Sequence, residues 1–559
     1  MTIAIEHLFI FIQISIICLF LSQCGFLLKK FIFLEHDNIN LEENGLFGFI
    51  FIGFISLAIN FFYPLNLIIN NAIFAIIFII SFVFNYFDQN KIKLLIKIFY
   101  VSFFCYILFI YSNVNTPDAL LYHLPYSKII NEEKIIIGLA NIHFRFGHIS
   151  IFQYISSFFN NSLLKENGVL IPIGLLASYF FIYCFRLFKS DFKKDSLRLK
   201  SYYTFLILIF SLYSFNRYSG YGNDAQTHIF YFLGILYLLD FFNKKIDLTT
   251  FKKFSLIFLF TFLTKPFYLI TLIIPFTIFF LIRKNFIIFR SNFFTFSLAF
   301  ILLWMLKGFL ITGCLIYPVQ KTCFKNVIWF DNNYIKKVSA EGQAWSKAWP
   351  RNLNKSLNQA EYNKNFNWLS TWINTHFFVI IEKLLPVIIF IILNFLFFYF
   401  TNCLKKNYQK YNSNFHLSIF YTSFLFIILW FLNFPTYRFG ISFIYIFIIF
   451  SLHFVFIRNI DIIRIKKYYS FFILFIITFT CLIFVKNINR VFNVNAKSIS
   501  PSLFDPLDSG KFLKVFNKDK VFTYYNKDSA CGYSVAPCSN MKIDLIKEII
   551  LGYTIYYTY

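Results

Sequence analysis

Charge is scarce in this sequence, and acidic charge is scarcer still. Only 14% of the 559 residues are charged, with 26 Asp and Glu against 52 Lys and Arg. A soluble domain is about a quarter charged, so a soluble fold is excluded for most of the chain. Several enzyme signatures are also missing. There is no P-loop, no Gly-x-Gly-x-x-Gly and no His-Glu-x-x-His, which leaves ATP-driven and zinc-protease chemistry without support. The ten cysteines show no zinc-type spacing. The first apolar run lacks a basic leader and a small-residue cleavage site, and Lys29 and Lys30 follow it. It therefore reads as a retained span with a short external N-terminus rather than a signal peptide. No internal repeat is visible.

What the sequence has instead is apolar length. It is 58% hydrophobic and holds 86 Phe. Runs approaching the roughly 20 residues needed to cross a bilayer fall near 5–28, 46–62, 69–86, 95–112, 166–187, 201–216, 225–242, 254–264, 266–282, 292–311, 377–402, 415–433, 439–457 and 468–486. These predict an all-α polytopic membrane protein of about 14 transmembrane helices. The pair 254–264 and 266–282 is broken at Thr264-Lys265-Pro266. A shorter apolar piece at 149–159 predicts a helix lying flat on the membrane. The membrane domain then covers 1–486, with polar loops at 113–146 and 312–376, and a tail runs over 487–559. Segments such as Lys520–Tyr525 and Ile550–Tyr557 favour strands, so the tail is expected to form a small αβ appendage.

The net charge of +26 would suggest nucleic acid in a soluble protein. Here the cations sit between apolar runs and read as orientation signals, with no nucleic-acid partner. Short loops at 29–30, 91–97, 189–200, 244–253, 283–290, 405–410 and 458–467 hold 24 Lys and Arg, and the short loops opposite hold only Arg217 and Arg438. The rich side is expected to be cytoplasmic, which puts both long loops and the tail outside. Cys314/Cys323 and Cys531/Cys538 lie in those outer segments and are predicted to form disulfides. Cys18, Cys24, Cys105, Cys184 and Cys481 lie in apolar runs and read as packing residues, and Cys403 sits at a span end.

The first long loop carries the densest chemistry, Asn115-Thr116-Pro117-Asp118-Ala119-Leu120-Leu121-Tyr122-His123-Leu124-Pro125-Tyr126. If the stretch after Pro117 is helical, Asp118 and Tyr122 share a face. Pro117 suits the first helical position, and Asp118 in the first turn either favours the helix start or does chemistry. His123, His143 and His148 in or near this loop read as hydrogen-bonding groups rather than metal ligands. Trp345 and Trp349 flank Lys347 and read as an interfacial helix, with a sugar-stacking surface as the other reading.

Asp118-x-x-x-Tyr122-His123-x-Pro125 resembles the pattern in the first external loop of GT-C membrane glycosyltransferases, nearest to the family 39-like proteins. Those proteins resemble protein O-mannosyltransferases and aminoarabinose transferases. Further pieces are similar in order: Asn223-Asp224 opening a span, Gly313-Cys314-Leu315-Ile316-Tyr317-Pro318, and Pro435-x-x-Arg438-Phe439. Trp304-x-x-Lys307 and the stretch Ala340 to Trp349 resemble an uncharacterised subgroup. The resemblance covers roughly residues 95–440. Two departures stand out: three spans precede the motif loop where better-known members have one, and the second acidic element is a single Asp.

The resemblance implies a GT-C-like fold and an inverting transfer of a sugar from a polyprenyl-phosphate donor. The acceptor would be a glycan, lipid or protein on the external face of a bacterial inner (cytoplasmic) membrane. Asp118 is then the candidate base, with Asp224 as the second catalytic carboxylate. Lys265, Arg438 and Arg145 are candidate phosphate partners, and Tyr122 and His123 complete the substrate-binding set. Lys265 snorkelling to the interface, and both arginines contacting lipid headgroups, are the alternative roles. No cofactor is fixed and no metal ligands are assigned; a divalent metal stays open, against a single Asp where a pair is usual. The rival classes are a flippase for lipid-linked glycans, which needs a charged cavity inside the spans, and an O-antigen-type polymerase or ligase.

Overall fold

A chain segment in a bilayer has no water to satisfy its backbone, so the apolar runs close their hydrogen bonds internally and become helices. The computed structural model describes residues 2–35, 40–84, 86, 91–109, 118–148, 150–194, 197–214, 221–243, 247–282, 286–352, 356–404, 413–493, 513–517, 520–525, 531–533, 536–539 and 545–558. Among these, nine helices are long and apolar enough to cross a membrane: His7–Phe33, Leu41–Asn60, Ile171–Phe192, Asp224–Phe242, Asn292–Thr312, Leu369–Phe400, His416–Asn433, Tyr437–Val455 and Ile463–Asn489. The protein is thus a multi-pass helical membrane protein. The other five of the fourteen predicted spans also fall on helical segments, Leu67–Val83, Lys91–Phe109, Arg198–Ser214, Leu248–Thr264 and Pro266–Phe280.

The first two spans pack backbone to backbone. A Cβ on Gly25 would lie 1.7 Å from the Asn44 carbonyl oxygen, and one on Gly48 would lie 2.0 Å from that of Leu21. Small residues at such a seam are how helices approach closely where lipid competes for apolar surface.

The bundle has two chemically distinct ends. At one end Lys29 meets Glu43 at 3.4 Å, and Lys253 meets Glu43 at 3.1 Å and Glu35 at 2.8 Å. There Lys200 pairs with Asp191 at 2.7 Å and with Asp240. Cation-rich loops far apart in sequence therefore meet at one end, as the alternation of spans requires. The same helices carry Asp224 and Lys265 at their other ends. Of the cation-rich loops, 244–246, 283–285 and 405–412 lie outside the described residues, as does Arg217.

Two expectations change. The piece predicted to lie flat at 149–159 is the helix Ile151–Phe158, buried at every residue and packed against Leu41–Asn60 and Leu124–Glu132. Its Gln153, Tyr154 and Ser157 side chains meet His123, Tyr126 and the Ser127 carbonyl inside the protein, away from lipid. The helix of the last span, Tyr469–Asn493, runs past the predicted edge at 486. The tail's described residues form strands and no helix: a sheet of Leu513–Asn517, Lys520–Tyr525 and Cys538–Ser539, and a hairpin of Ile546–Ile550 with Tyr553–Tyr557.

The tail lies against the loop that follows Lys91–Phe109. Ile555 bridges Ile137, Tyr556 N–H donates to the Ile137 carbonyl at 2.9 Å, and Asn141 Nδ2 donates to the Tyr556 carbonyl at 3.0 Å. Both predicted disulfides, Cys314–Cys323 and Cys531–Cys538, are formed. Cys18, Cys24, Cys105, Cys184 and Cys403 are buried, whereas Cys481 is exposed on its helix and not part of the packing.

Candidate active site

At the end of the bundle opposite the cation-rich loops, four separate stretches bring five charged side chains together. Asp118 opens a π-helical turn, Ala119–His123, that runs into the helix Leu124–Glu132. Pro117 lies outside the described residues. The Asp118 side chain makes no cap to its own helix. Instead Arg145 Nη1 donates to its Oδ1 at 3.1 Å and Arg438 Nη1 to its Oδ2 at 3.1 Å. A residue whose only role was to start a helix would spend its carboxylate on local amides.

Arg145 comes from a short 3₁₀ turn, Phe144–Gly147, capped by the His143 side chain, whose Nδ1 accepts from Arg145 N–H at 3.2 Å. Its guanidinium lies 5.0 Å over the Tyr122 ring. Asp118 and Tyr122 therefore share a face, as their spacing requires, with Arg145 across both. Burial pushes the Tyr122 hydroxyl well above its usual pKa. The Gly313–Pro318 segment reaches this turn through Tyr317, whose ring leaves no room for a side chain at Gly147, where a Cβ would lie 2.5 Å from it.

Asp224 is the first residue of Asp224–Asn243. Lys265 stands at the break between Leu248–Thr264 and the 3₁₀ turn Pro266–Leu272, in extended backbone at φ −149°. Pro266 forces that break. Lys265 forms an ion pair with Asp224 and lies 3.5 Å over the Phe439 ring, so it is held by a carboxylate rather than snorkelling. Burial, opposed by Asp224, brings its ammonium down to about 8. Arg438, near the start of Tyr437–Val455, is the bridge: besides Asp118, its Nε lies 3.7 Å from Asp224 Oδ2. The turn before it is pinned by two indoles, with Trp372 Nε1 donating to the Pro435 carbonyl at 2.6 Å and Trp430 Nε1 to that of Thr436 at 2.9 Å.

His123 sits behind this cluster, 5% exposed. Gln153 uses its carbonyl to close the capping box of Ile151–Phe158, which turns its amide toward His123 Nδ1 at 3.0 Å. That leaves Nδ1 the acceptor and the proton on Nε2. Burial brings His123 and His148 down to about 4, so both are neutral near pH 7. The three histidines serve hydrogen bonding and ring packing; among the described residues no three His, Cys, Asp or Glu side chains form a metal set. Trp345 is exposed near the end of the helix Asn332–Ser346, and Trp349, in the turn beyond it, packs on Tyr362 at 5.0 Å.

Sequence reasoning missed a layer beneath Arg438. His228 Nε2 lies 2.8 Å from the Arg438 carbonyl, and His228 Nδ1 lies 2.9 Å from both Ser442 Oγ and Tyr268 Oη. His228 was findable: it is four residues after Asp224, on the same face of an apolar helix, where an ionisable side chain calls for a partner.

Three cations thus hold two carboxylates at the membrane-helix termini, with one positive charge in excess and cationic atoms on every carboxylate oxygen. Each carboxylate oxygen of Asp118 and Asp224 faces a guanidinium or ammonium group. Such a cluster suits an anion, which can take over the cations' hydrogen bonds.

Fold and site together define a multi-pass helical membrane protein with a charged cluster at one end of its bundle. Residues 8–445 match a family described as a domain of unknown function, DUF8201, and the chain belongs to that family. No curated protein and no solved structure matches it.

Proposed function

We propose that the protein is a GT-C-like glycosyltransferase of a bacterial inner membrane. It would move a sugar from a polyprenyl-phosphate donor to a glycan, lipid or protein acceptor on the external face. The observation that carries this reading is the convergence of Asp118, Asp224, Arg145, Lys265 and Arg438 from four distant stretches into one ion-paired cluster at helix ends. Charge placed at the ends of spans suits a lipid-anchored phosphate waiting at the membrane surface, whereas a flippase needs charge along an internal path.

The donor phosphate takes guanidinium and ammonium hydrogen bonds from Arg438, Arg145 and Lys265. In doing so it frees a carboxylate oxygen of Asp118. Asp118 accepts the acceptor's hydroxyl proton as the hydroxyl oxygen bonds to the anomeric carbon. The bond from that carbon to the phosphate oxygen breaks, and the electron pair leaves on the phosphate, where the three cations hold the added charge. Attack from the face opposite the leaving group inverts the anomeric centre. Asp224 keeps Lys265 and Arg438 aimed at the phosphate.

The test is incubation of the purified protein in lipid nanodiscs with radiolabelled polyprenyl-phosphate sugars and candidate acceptors. Transfer that Asp118→Asn abolishes is expected. Absence of transfer from every such donor by folded protein, or transfer untouched by both Asp118→Asn and Asp224→Asn, overturns the reading.

A further inference from the structure

The helix that carries Asp118 has a built-in gap. In the turn Ala119–His123 the hydrogen bonds run five residues apart, and Leu124 N–H returns to the Ala119 carbonyl. The next carbonyl, Leu120, would take its bond from residue 125. That residue is Pro125, which has no N–H. A carbonyl left unsatisfied at a helix's inner face costs as much as a lost hydrogen bond.

The donor that fills the gap comes from the tail. Gly532 N–H donates to the Leu120 carbonyl at 2.8 Å. Gly532 adopts φ +56°, in the left-handed region, and sits beside Cys531, which is disulfide-bonded to Cys538. The next residue, Tyr533, secures the far end of the same helix. Its hydroxyl donates to Asn131 Oδ1 at 2.5 Å and accepts from Asn160 Nδ2 at 2.7 Å, and Lys128 lies 5.1 Å over its ring. Ser539, one residue beyond the disulfide, donates to the Ile142 carbonyl at 3.2 Å, just before the turn that carries Arg145.

We propose that residues 531–533, linked by the Cys531–Cys538 disulfide to 536–539, are a positioning element of the site: they supply the amide that Pro125 denies to the Asp118 helix, and so fix where the Asp118 carboxylate stands. Gly532 and Tyr533 are its positioning residues. This goes beyond the transferase reading, and only the kinetic part of its test rests on that reading.

The experiment is amide hydrogen exchange by mass spectrometry on the full chain in nanodiscs, following peptides across 119–132. Breaking the disulfide with Cys531→Ser plus Cys538→Ser should speed exchange there about fivefold, the ratio one lost hydrogen bond sustains. Peptides of Tyr437–Val455 should not change. Pro125→Ala gives the helix its own donor for Leu120, so in that background the same cysteine pair should add little. A simple structural role for the disulfide would not depend on Pro125. Cys314→Ser plus Cys323→Ser is the control and should leave 119–132 unchanged. Should the first double variant fail to fold, Tyr533→Phe asks the same question more gently, with faster exchange expected toward Asn131.

Unchanged exchange at 119–132, or an equal rise with and without Pro125, overturns the proposal. If transfer is established, kcat should fall with the donor KM unmoved, because Asp118 is needed only as the acceptor attacks. If transfer is absent while the exchange pattern holds, the positioning inference stands and the transferase reading falls.

Discussion

Replacing Asp118 by Asn separates chemistry from architecture. The side chain keeps its size and one oxygen acceptor, and loses its charge and its capacity to take a proton. The structural cost is bounded by the two ion pairs it breaks. Asp118 and Arg145 side chains are each 30% exposed and that of Arg438 is 59% exposed. Pairs so open to solvent are worth roughly 0–1 kcal/mol each, so the loss stays near 2 kcal/mol at most. Removing a general base costs roughly 100- to 10,000-fold in rate, which corresponds to about 2.7–5.4 kcal/mol of barrier. A thermal unfolding midpoint within a few degrees of the parent, a donor affinity close to the parent's, and transfer lost by at least two orders of magnitude are therefore expected together. Transfer rates with labelled polyprenyl-phosphate sugars and fluorescence-detected unfolding measure them. An Asp118→Asn protein that folds and keeps more than about a tenth of its rate would refute the base assignment, because that loss is smaller than base removal allows. If Asp224→Asn abolishes transfer instead, the roles of the two carboxylates are reversed.

Lys265→Ala and Arg438→Ala should raise the donor KM as well as lower kcat, since a phosphate charge is present before and after transfer; unchanged KM in both removes them from the phosphate site. The Lys265 ammonium sits at about 8, so the parent's donor KM should rise as pH climbs through that value, while Lys265→Ala should show no such inflection. His123 binds its proton at about 4 when folded, below the ordinary value of 6.5. The unfolded chain therefore gains that proton first as pH falls from 6.5, and stability drains away until about 4. Urea titrations at successive pH values should show this loss in the parent and a shallower one in His123→Gln. Cysteine-accessibility labelling should place 188–200, 243–253 and 458–467 on one side and 113–146, 312–376 and the tail on the other; labelling of 188–200 from the same side as 113–146 would break the proposed orientation.

Much of the site was legible because charge is rare in an apolar chain. Where only a few ionisable groups stand at span ends, each needs a partner, and Asp118, Asp224, Lys265 and Arg438 find one another. The break at Lys265-Pro266 was legible for a different reason, because proline withdraws a donor wherever it occurs. The helix Ile151–Phe158 was misread because its apolar periodicity is the same whether the far side meets water or the polar side chains of neighbouring helices. Gln153 was invisible for a related reason: a lone amide gains meaning only from what tertiary packing sets opposite it. Part of the tail's docking rests on backbone groups, Gly532 N–H and the carbonyls of Leu120 and Ile137, which every sequence contains and none advertises.

The hydrogen bond from Asn141 to Tyr556 joins residues 415 apart in sequence. Contacts so distant form only once both partners have been made. While the ribosome is still adding the later helices, the early loop carrying Asp118 and Arg145 is already synthesised but lacks its brace. The stretch before Arg145 can thus be braced by the hairpin of Ile546–Ile550 and Tyr553–Tyr557 only after those residues have been made.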